Sequence, residues 1–287
     1  MIIARISLRS VTRRALRIAL AFTFAPAWSA ADAQWIRVPV PGTPRTADGT
    51  PNLEAPLPRT PDGRPDLSGV WQRVVPPEVA RAAKTALTDQ NLQLLMPPGE
   101  TVPFHPWAAT LFTQRFAADG AGAPSERCLP KGILAPMLPP VPFKIVPGAG
   151  VTVILFEESN RYRQIFTDGR PLPRDPQPAW WGYSVGTWDG DTFAVESAGF
   201  NDSTWLDKAG HPHSDALRTV ERFRRSTFGR MDLQVTVDDP KAYTRPFMVS
   251  LPLRLLADTD LIEDAFENEK DADPIAAAAG AQAAPKK

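Results

Sequence analysis

With one cysteine and three histidines in 287 residues, this chain has little of the usual equipment for disulfides, thiol catalysis or clustered metal sites. Cys128 has no second cysteine to pair with, so no intrachain disulfide forms, and it reads as a small buried apolar residue rather than a nucleophile. There is no Gly-x-Ser-x-Gly elbow, no phosphate-binding Gly-rich loop and no dinucleotide fingerprint. The reactions that depend on those motifs are set aside, and no motif calls for a cofactor. An excess of positive charge is missing too. Lys+Arg and Asp+Glu both total 32, and residues 1–33 hold five Arg and one Asp, which leaves 27 basic against 31 acidic residues beyond them, a net charge of −4. A mildly acidic domain without a basic stripe carries no electrostatic footprint for nucleic acid.

Beyond the N-terminus no apolar run approaches the ~20 residues that span a bilayer, so no membrane insertion is expected once a leader is removed. The leader itself is legible. Arg5, Arg9, Arg13, Arg14 and Arg17 form a basic region, residues 18–25 are apolar, and Ala31-Asp32-Ala33 is a small-x-small cleavage site. Residues 1–33 therefore read as a signal peptide for a periplasmic or secreted protein. Thr12-Arg13-Arg14-Ala15-Leu16 leaves the twin-arginine and the general export routes both open.

Proline, by contrast, is plentiful: 32 residues, about twice the usual share, concentrated before residue 150. Residues 34–143 read as an extended arm with a short helix. Arg45-Thr-Ala-Asp-Gly-Thr-Pro-Asn-Leu53 returns as Arg59-Thr-Pro-Asp-Gly-Arg-Pro-Asp-Leu67, each copy an Asp-Gly turn followed by a proline that cannot join a sheet ladder. One helical pattern, over 76–95, is stopped by Met96-Pro97-Pro98.

From residue 144 the period changes to two, the mark of half-buried strands. Val151, Val153 and Leu155 fall on one side of an alternating segment, as do Tyr162, Gln164 and Phe166. Asp189-Gly190 reads as a tight hairpin turn that puts Trp188, Phe193 and Val195 on one face. Residues 214–225 fit a strand with Leu217, Thr219, Glu221 and Phe223 on one side, although Leu217, Val220 and Arg224 also fit a helical face. Further strands follow around 233–237, 247–255 and 261–268. These patterns predict a mainly all-β protein: an antiparallel barrel or strongly curled sheet of about eight strands over 144–270, with the Pro-rich arm, one or two short helices and a disordered Ala-rich tail over 271–287.

The set Thr60-Pro-Asp-Gly-Arg-Pro-Asp-Leu-Ser-Gly-Val-Trp71, Arg127-Cys-Leu-Pro130, Arg163-Gln-Ile-Phe-Thr-Asp-Gly-Arg170, Gly199-Phe-Asn-Asp202, His213-Ser-Asp-Ala-Leu-Arg218 and Asp238-Asp-Pro-Lys-Ala-Tyr-Thr244 resembles a family of exported bacterial proteins of unknown function. The resemblance implies export and a shared fold, and no activity. A more distant likeness to lipocalin-like barrels rests on strand pattern alone.

Chemistry concentrates on the loop around 199–215, which holds Asp202, Trp205, Asp207, His211, His213 and Asp215. The main functional expectation is an exported enzyme acting on a small molecule by acid/base chemistry, of hydrolase, lyase or isomerase type, with His213 as base, Glu221 as acid and Asp202 as orienter. Trp205, Trp181, Tyr183 and Arg163 are the expected substrate-binding residues. An alternative for Glu221 is a structural pairing with Arg163. A second reading is a carrier that binds a small aromatic or sugar-like ligand without turnover, since Tyr162, Phe166, Trp180, Trp181, Tyr183, Trp188 and Trp205 offer more aromatic surface than one hairpin needs. A third is a metal-dependent enzyme in which His211, His213 and Asp207 ligate, although no metal is required by the rest of the sequence. If the acid/base reading holds, His213→Ala and Glu221→Gln remove turnover while the thermal midpoint stays nearly unchanged; a large loss of folding from both variants marks these residues as structural.

Overall fold

The computed structural model describes residues 38–85 and 87–262. The expected leader and the expected tail lie outside them, as does most of the strand expected over 261–268; Leu261 and Ile262 are described and are not in a strand. The described chain is a closed barrel of nine strands: β1 (Gly69–Arg73), β2 (Phe143–Gly148), β3 (Val151–Phe156), β4 (Arg161–Phe166), β5 (Tyr183–Asp189), β6 (Thr192–Ala198), β7 (Arg218–Arg225), β8 (Arg230–Asp238) and β9 (Phe247–Leu255). Each strand pairs with its neighbours in sequence, and β1 closes the circle against β9. All pairings are antiparallel except β4 with β5, which is parallel and consists of the single pair Phe166↔Val185.

The mainly β reading and the barrel hold, with two changes. β1 comes from the segment expected to be arm, and β2 begins within one residue of the expected boundary. Gly69-Val70-Trp71-Gln72-Arg73 is too short to show a period by itself, and tertiary pairing on both edges recruits it. The β5–β6 turn also sits one residue later than expected, with Asp189 opposite Thr192 and Gly190 at φ +55°. That shift moves every partner by two, so the faces are preserved. Residues 218–225 are a strand, as the alternation of Thr219, Glu221, Phe223 and Arg225 with outward Arg222 and Arg224 requires.

Alternation decides what fills the barrel. Phe193 and Val195 of β6, Leu233, Val235 and Val237 of β8, and Phe247, Val249, Leu251 and Leu253 of β9 all point inward. On β3 and β4 the inward set is the opposite of the expected one: Thr152, Ile154 and Phe156, then Arg163 and Ile165, are buried, while Tyr162 is 62 % exposed. Gly186 leaves room across the interior, because a Cβ there would stand 2.4 Å from Phe193 Cζ. The interior is thus a packed core.

One polar knot lies in that core. Arg163, 3 % exposed at its side chain, donates from Nη1 to Glu221 Oε1 at 2.9 Å and from Nη2 to Glu221 Oε2 at 2.5 Å. Its Nη2 and Nε also reach Ser197 Oγ at 2.9 Å and Ser184 Oγ at 3.2 Å. A single guanidinium therefore ties β4 to β5, β6 and β7 across the place where β4 and β5 share one backbone pair.

The helical expectation over 76–95 is corrected. Only α1 (Pro77–Ala82) is helical there, followed later by a single 3₁₀ turn over Leu92–Leu95 that Asn91 caps. The longest helix is α2 (Pro106–Ala117), which starts on a proline, a residue suited to the first helical turn. In the arm, both repeats fold alike: Arg45 and Arg59 each donate to the carbonyl of the turn glycine and pair with a distant carboxylate, Asp258 and Asp191 respectively. These pairs are exposed and are worth little each.

Removing one member of the buried pair leaves the other charge uncompensated, so Arg163→Met and Glu221→Met should each cost about 3–5 kcal/mol of stability. The double variant Arg163→Met/Glu221→Met should recover most of that loss. Urea unfolding of the four proteins measures the cycle, and additive losses would show that the pair is not coupled.

Candidate functional site

The loop between β6 and β7 brings its histidines to separate ends. Asp207 accepts the backbone N–H of Gly210 and of His211 on Oδ1, at 2.9 and 3.0 Å, and the N–H of Leu92 on Oδ2 at 2.7 Å. The same Oδ2 lies 2.6 Å from His211 Nδ1. The His211 ring is buried between Phe104, whose centroid is 5.4 Å away at 12°, and Phe112 of α2 at 4.3 Å. Its partner histidine has different company. His213 Nδ1 is 3.0 Å from the Ser214 carbonyl, which can only accept, so Nδ1 carries the proton of the neutral ring. His213 Nε2 then accepts from the Thr204 hydroxyl at 2.6 Å. Ser214 in turn is held by Asp239, which takes its N–H and its hydroxyl at 2.6 and 2.7 Å.

The structure does not assemble the expected catalytic set. Glu221 is fully buried and both its oxygens are occupied by Arg163, His213 is engaged at both ring nitrogens by other groups, and Asp202 is exposed on the loop surface. The expected metal set does not form either. His211 and His213 turn to different partners, and among the described residues no group of three or more His, Cys, Asp or Glu side chains is arranged to hold a metal ion.

Open volume lies elsewhere. A cleft of about 800 Å³ sits where β4 and β5 diverge, walled by the 119–136 loop, by residues 158–161 leading into β4, by Trp181 ahead of β5 and by Trp205, Asp207 and Lys208. That volume is within the ~300–1,000 Å³ range of small-molecule sites. Of the four expected binding residues, Trp205 and Trp181 line the cleft. Tyr183 lies outside it, stacked on Phe166 at 5.0 Å on the barrel's outer face, and Arg163 is inside the barrel. Trp180 and Trp181 sit in a turn, so the strand argument that sends them to opposite faces does not apply.

The walls are fixed from behind. Trp181 Nε1 donates to the Lys131 carbonyl at 2.7 Å and its ring meets Phe156 edge-on at 5.3 Å. Trp205 carries the Arg115 guanidinium over its ring at 4.4 Å, and burial pushes that guanidinium down to about 10. Lys131 pairs with Glu158 and so bridges the loop to the start of β4. Gly132 permits the approach of these two walls, since a Cβ there would stand 2.2 Å from the Trp205 carbonyl oxygen.

Lys131, Glu158 and Arg161 are lining residues that the sequence reading passed over, and Cys128 also lines the cleft. Cys128 is exposed in the left-handed region at φ +58°, which corrects its expected burial. A readable signal existed in the polar run Ser125-Glu-Arg-Cys128 within an otherwise Pro-rich arm. No family model matches the chain, and no curated protein or solved structure matches it. Among the described residues no helix is long and apolar enough to cross a membrane.

Burial pushes the His213 imidazole below its usual value of 6.5. The folded chain then keeps His213 neutral at a pH where the unfolded chain already binds a proton. Its contribution to stability is complete above about pH 6.5 and is lost as pH falls. Urea midpoints should therefore drop between pH 7 and pH 5, and His213→Gln should flatten part of that drop; an unchanged slope in the variant would count against this linkage.

Proposed function

We propose that this chain is an exported protein that binds a small organic ligand in the cleft between the 119–136 loop and the diverging ends of β4 and β5. The basic and then apolar N-terminal 25 residues support export. The observation that carries the binding reading is the cleft itself, where two tryptophans and several charged side chains meet about 800 Å³ of open volume. The interior of the barrel is filled by side chains, and His213 and Glu221 are committed to neighbours, which favours binding over acid/base turnover by those residues.

Rigidity adds to the case. Trp181 and Trp205 are each held by a neighbouring group, the Lys131 carbonyl and the Arg115 guanidinium, so a ligand meets walls that need little ordering on binding. One contact favours a second reading: the Thr204 hydroxyl donates to His213 Nε2 at 2.6 Å, an arrangement that withdraws a proton from a hydroxyl. Thr204 is buried, so that reading requires the loop to open before any substrate arrives.

Tryptophan fluorescence with a panel of small aromatic and sugar-derived compounds tests the proposal. Ser125 is half-buried and lines the cleft, so Ser125→Trp should plug it. Compounds that quench the wild-type protein should lose at least about tenfold in affinity against the plugged variant while its thermal midpoint stays within a few degrees. They should also be recovered unchanged after long incubation; conversion that depends on His213 would support the second reading instead.

A further inference from the structure

The cleft offers more than volume, because several of its polar groups have no partner among the described residues. Glu158 uses Oε1 for Lys131, while its Oε2 is buried and meets no hydrogen-bond donor among the described residues. An acceptor of that kind is costly unless something donates to it. Trp205 is 8 % exposed and lines the cleft, and its indole N–H has no hydrogen-bond acceptor among the described residues. Arg161, half-buried at the start of β4, also lines the cleft and forms no ion pair among the described residues. Of the lining carboxylates, Asp119 and Glu126 lie on the exposed rim, where solvent screens them, buried Asp207 is engaged by His211 and by backbone N–H groups, and Glu158 is paired with Lys131, so the Arg161 guanidinium is a charge in the cleft that no carboxylate among the described residues pairs.

These groups ask for two complements on one molecule. Glu158 Oε2 needs a donor of the hydroxyl kind, and Arg161 with the Trp205 N–H needs an acceptor, best an anionic one. Trp181 and Trp205 line the same cleft and offer indole surface that suits a ring. A ligand that supplies the missing hydrogen bonds removes the cost of leaving such groups unpaired. We propose that the cleft selects a ring-bearing hydroxy acid, its carboxylate taken by Arg161 and Trp205 and its hydroxyl by Glu158. This rests on the cleft being a binding site, and it adds the class of ligand. A phenolic acid and a sugar acid share this chemistry and differ in the ring.

Titration calorimetry with 4-hydroxybenzoate and with D-glucuronate separates the two sources, and 4-hydroxybenzamide and benzoate remove the charge and the hydroxyl in turn. The acid should bind at least about tenfold more tightly than the amide in the wild-type protein, and about threefold or more above benzoate. Arg161→Met should bring the acid-to-amide ratio towards one, and Glu158→Gln should shrink the 4-hydroxybenzoate-to-benzoate ratio. If glucuronate binds and 4-hydroxybenzoate does not, the class stands with a sugar ring. Equal binding of acid and amide to the wild-type protein overturns the inference without recourse to any variant. Neutral compounds that bind and are lost in Ser125→Trp leave the binding site standing and remove only the class. If no compound distinguishes Ser125→Trp from wild type, the binding site itself is refuted.

Discussion

Strand direction has to alternate around an antiparallel barrel, and nine strands cannot alternate to closure. One neighbouring pair must run parallel, and here it is β4 with β5, reduced to Phe166 opposite Val185. A ladder of one pair is a weak seam. Side chains replace what the backbone lacks: inside, Arg163 on β4 holds Ser184 of β5, Ser197 of β6 and Glu221 of β7. Outside, Phe166 stacks on Tyr183, with the Arg170 guanidinium 4.1 Å over the Phe166 ring and donating to the Tyr183 hydroxyl at 3.0 Å. The buried ion pair is thereby a closure device. Its net worth relative to an apolar core is small, but leaving either charge alone is expensive, which disfavours any register that separates them.

The same parity produces the cleft. Parallel neighbours cannot be joined by a hairpin, so the chain takes the long path over residues 167–182, and β4 and β5 separate towards their N-terminal ends. Arg161 stands at one side of that divergence and Trp181 at the other. The 119–136 loop covers the gap and is pinned by Lys131 to Glu158 and by the Lys131 carbonyl to Trp181. Closure and open volume are in this way divided between different residues of the same seam: Arg163 and Glu221 hold it closed, while Glu158 and Arg161 line its open end.

Much of the barrel is legible in the sequence wherever a strand has one wet face. β6 to β9 alternate cleanly because Arg222, Arg224, Asp232 and Gln234 mark the outside. β4 misleads, since its outer face carries Tyr162 and Phe166 and its inner face carries Arg163. Hydrophobicity alone points such a strand the wrong way; only the need to bury Arg163 beside Glu221 settles it, and that need is a long-range fact. β1 escapes for a related reason, as five residues in a Pro-rich stretch show no period until both edges are paired. Of the cleft, Trp181 and Trp205 are readable as surplus aromatics, whereas Arg161 and Glu158 are unremarkable charges until the topology brings the 119–136 loop against them.

The crowd of histidines and aspartates around 199–215 has a physical role in the burial of its own backbone. An irregular segment that is buried has backbone N–H groups with no ladder to receive them, and each must find an acceptor. Asp207 alone receives the N–H of Leu92, Gly210 and His211, and Asp239 receives those of Ser214, Lys241 and Ala242. His211 and His213 serve the same accounting, one as partner to Asp207 and the other bridging Thr204 to the Ser214 carbonyl. A loop this rich in side-chain acceptors is what a buried, strand-free path requires. Its polarity therefore reports burial of the loop, and the open chemistry lies one wall away, where Trp205 leaves that loop to face the cleft.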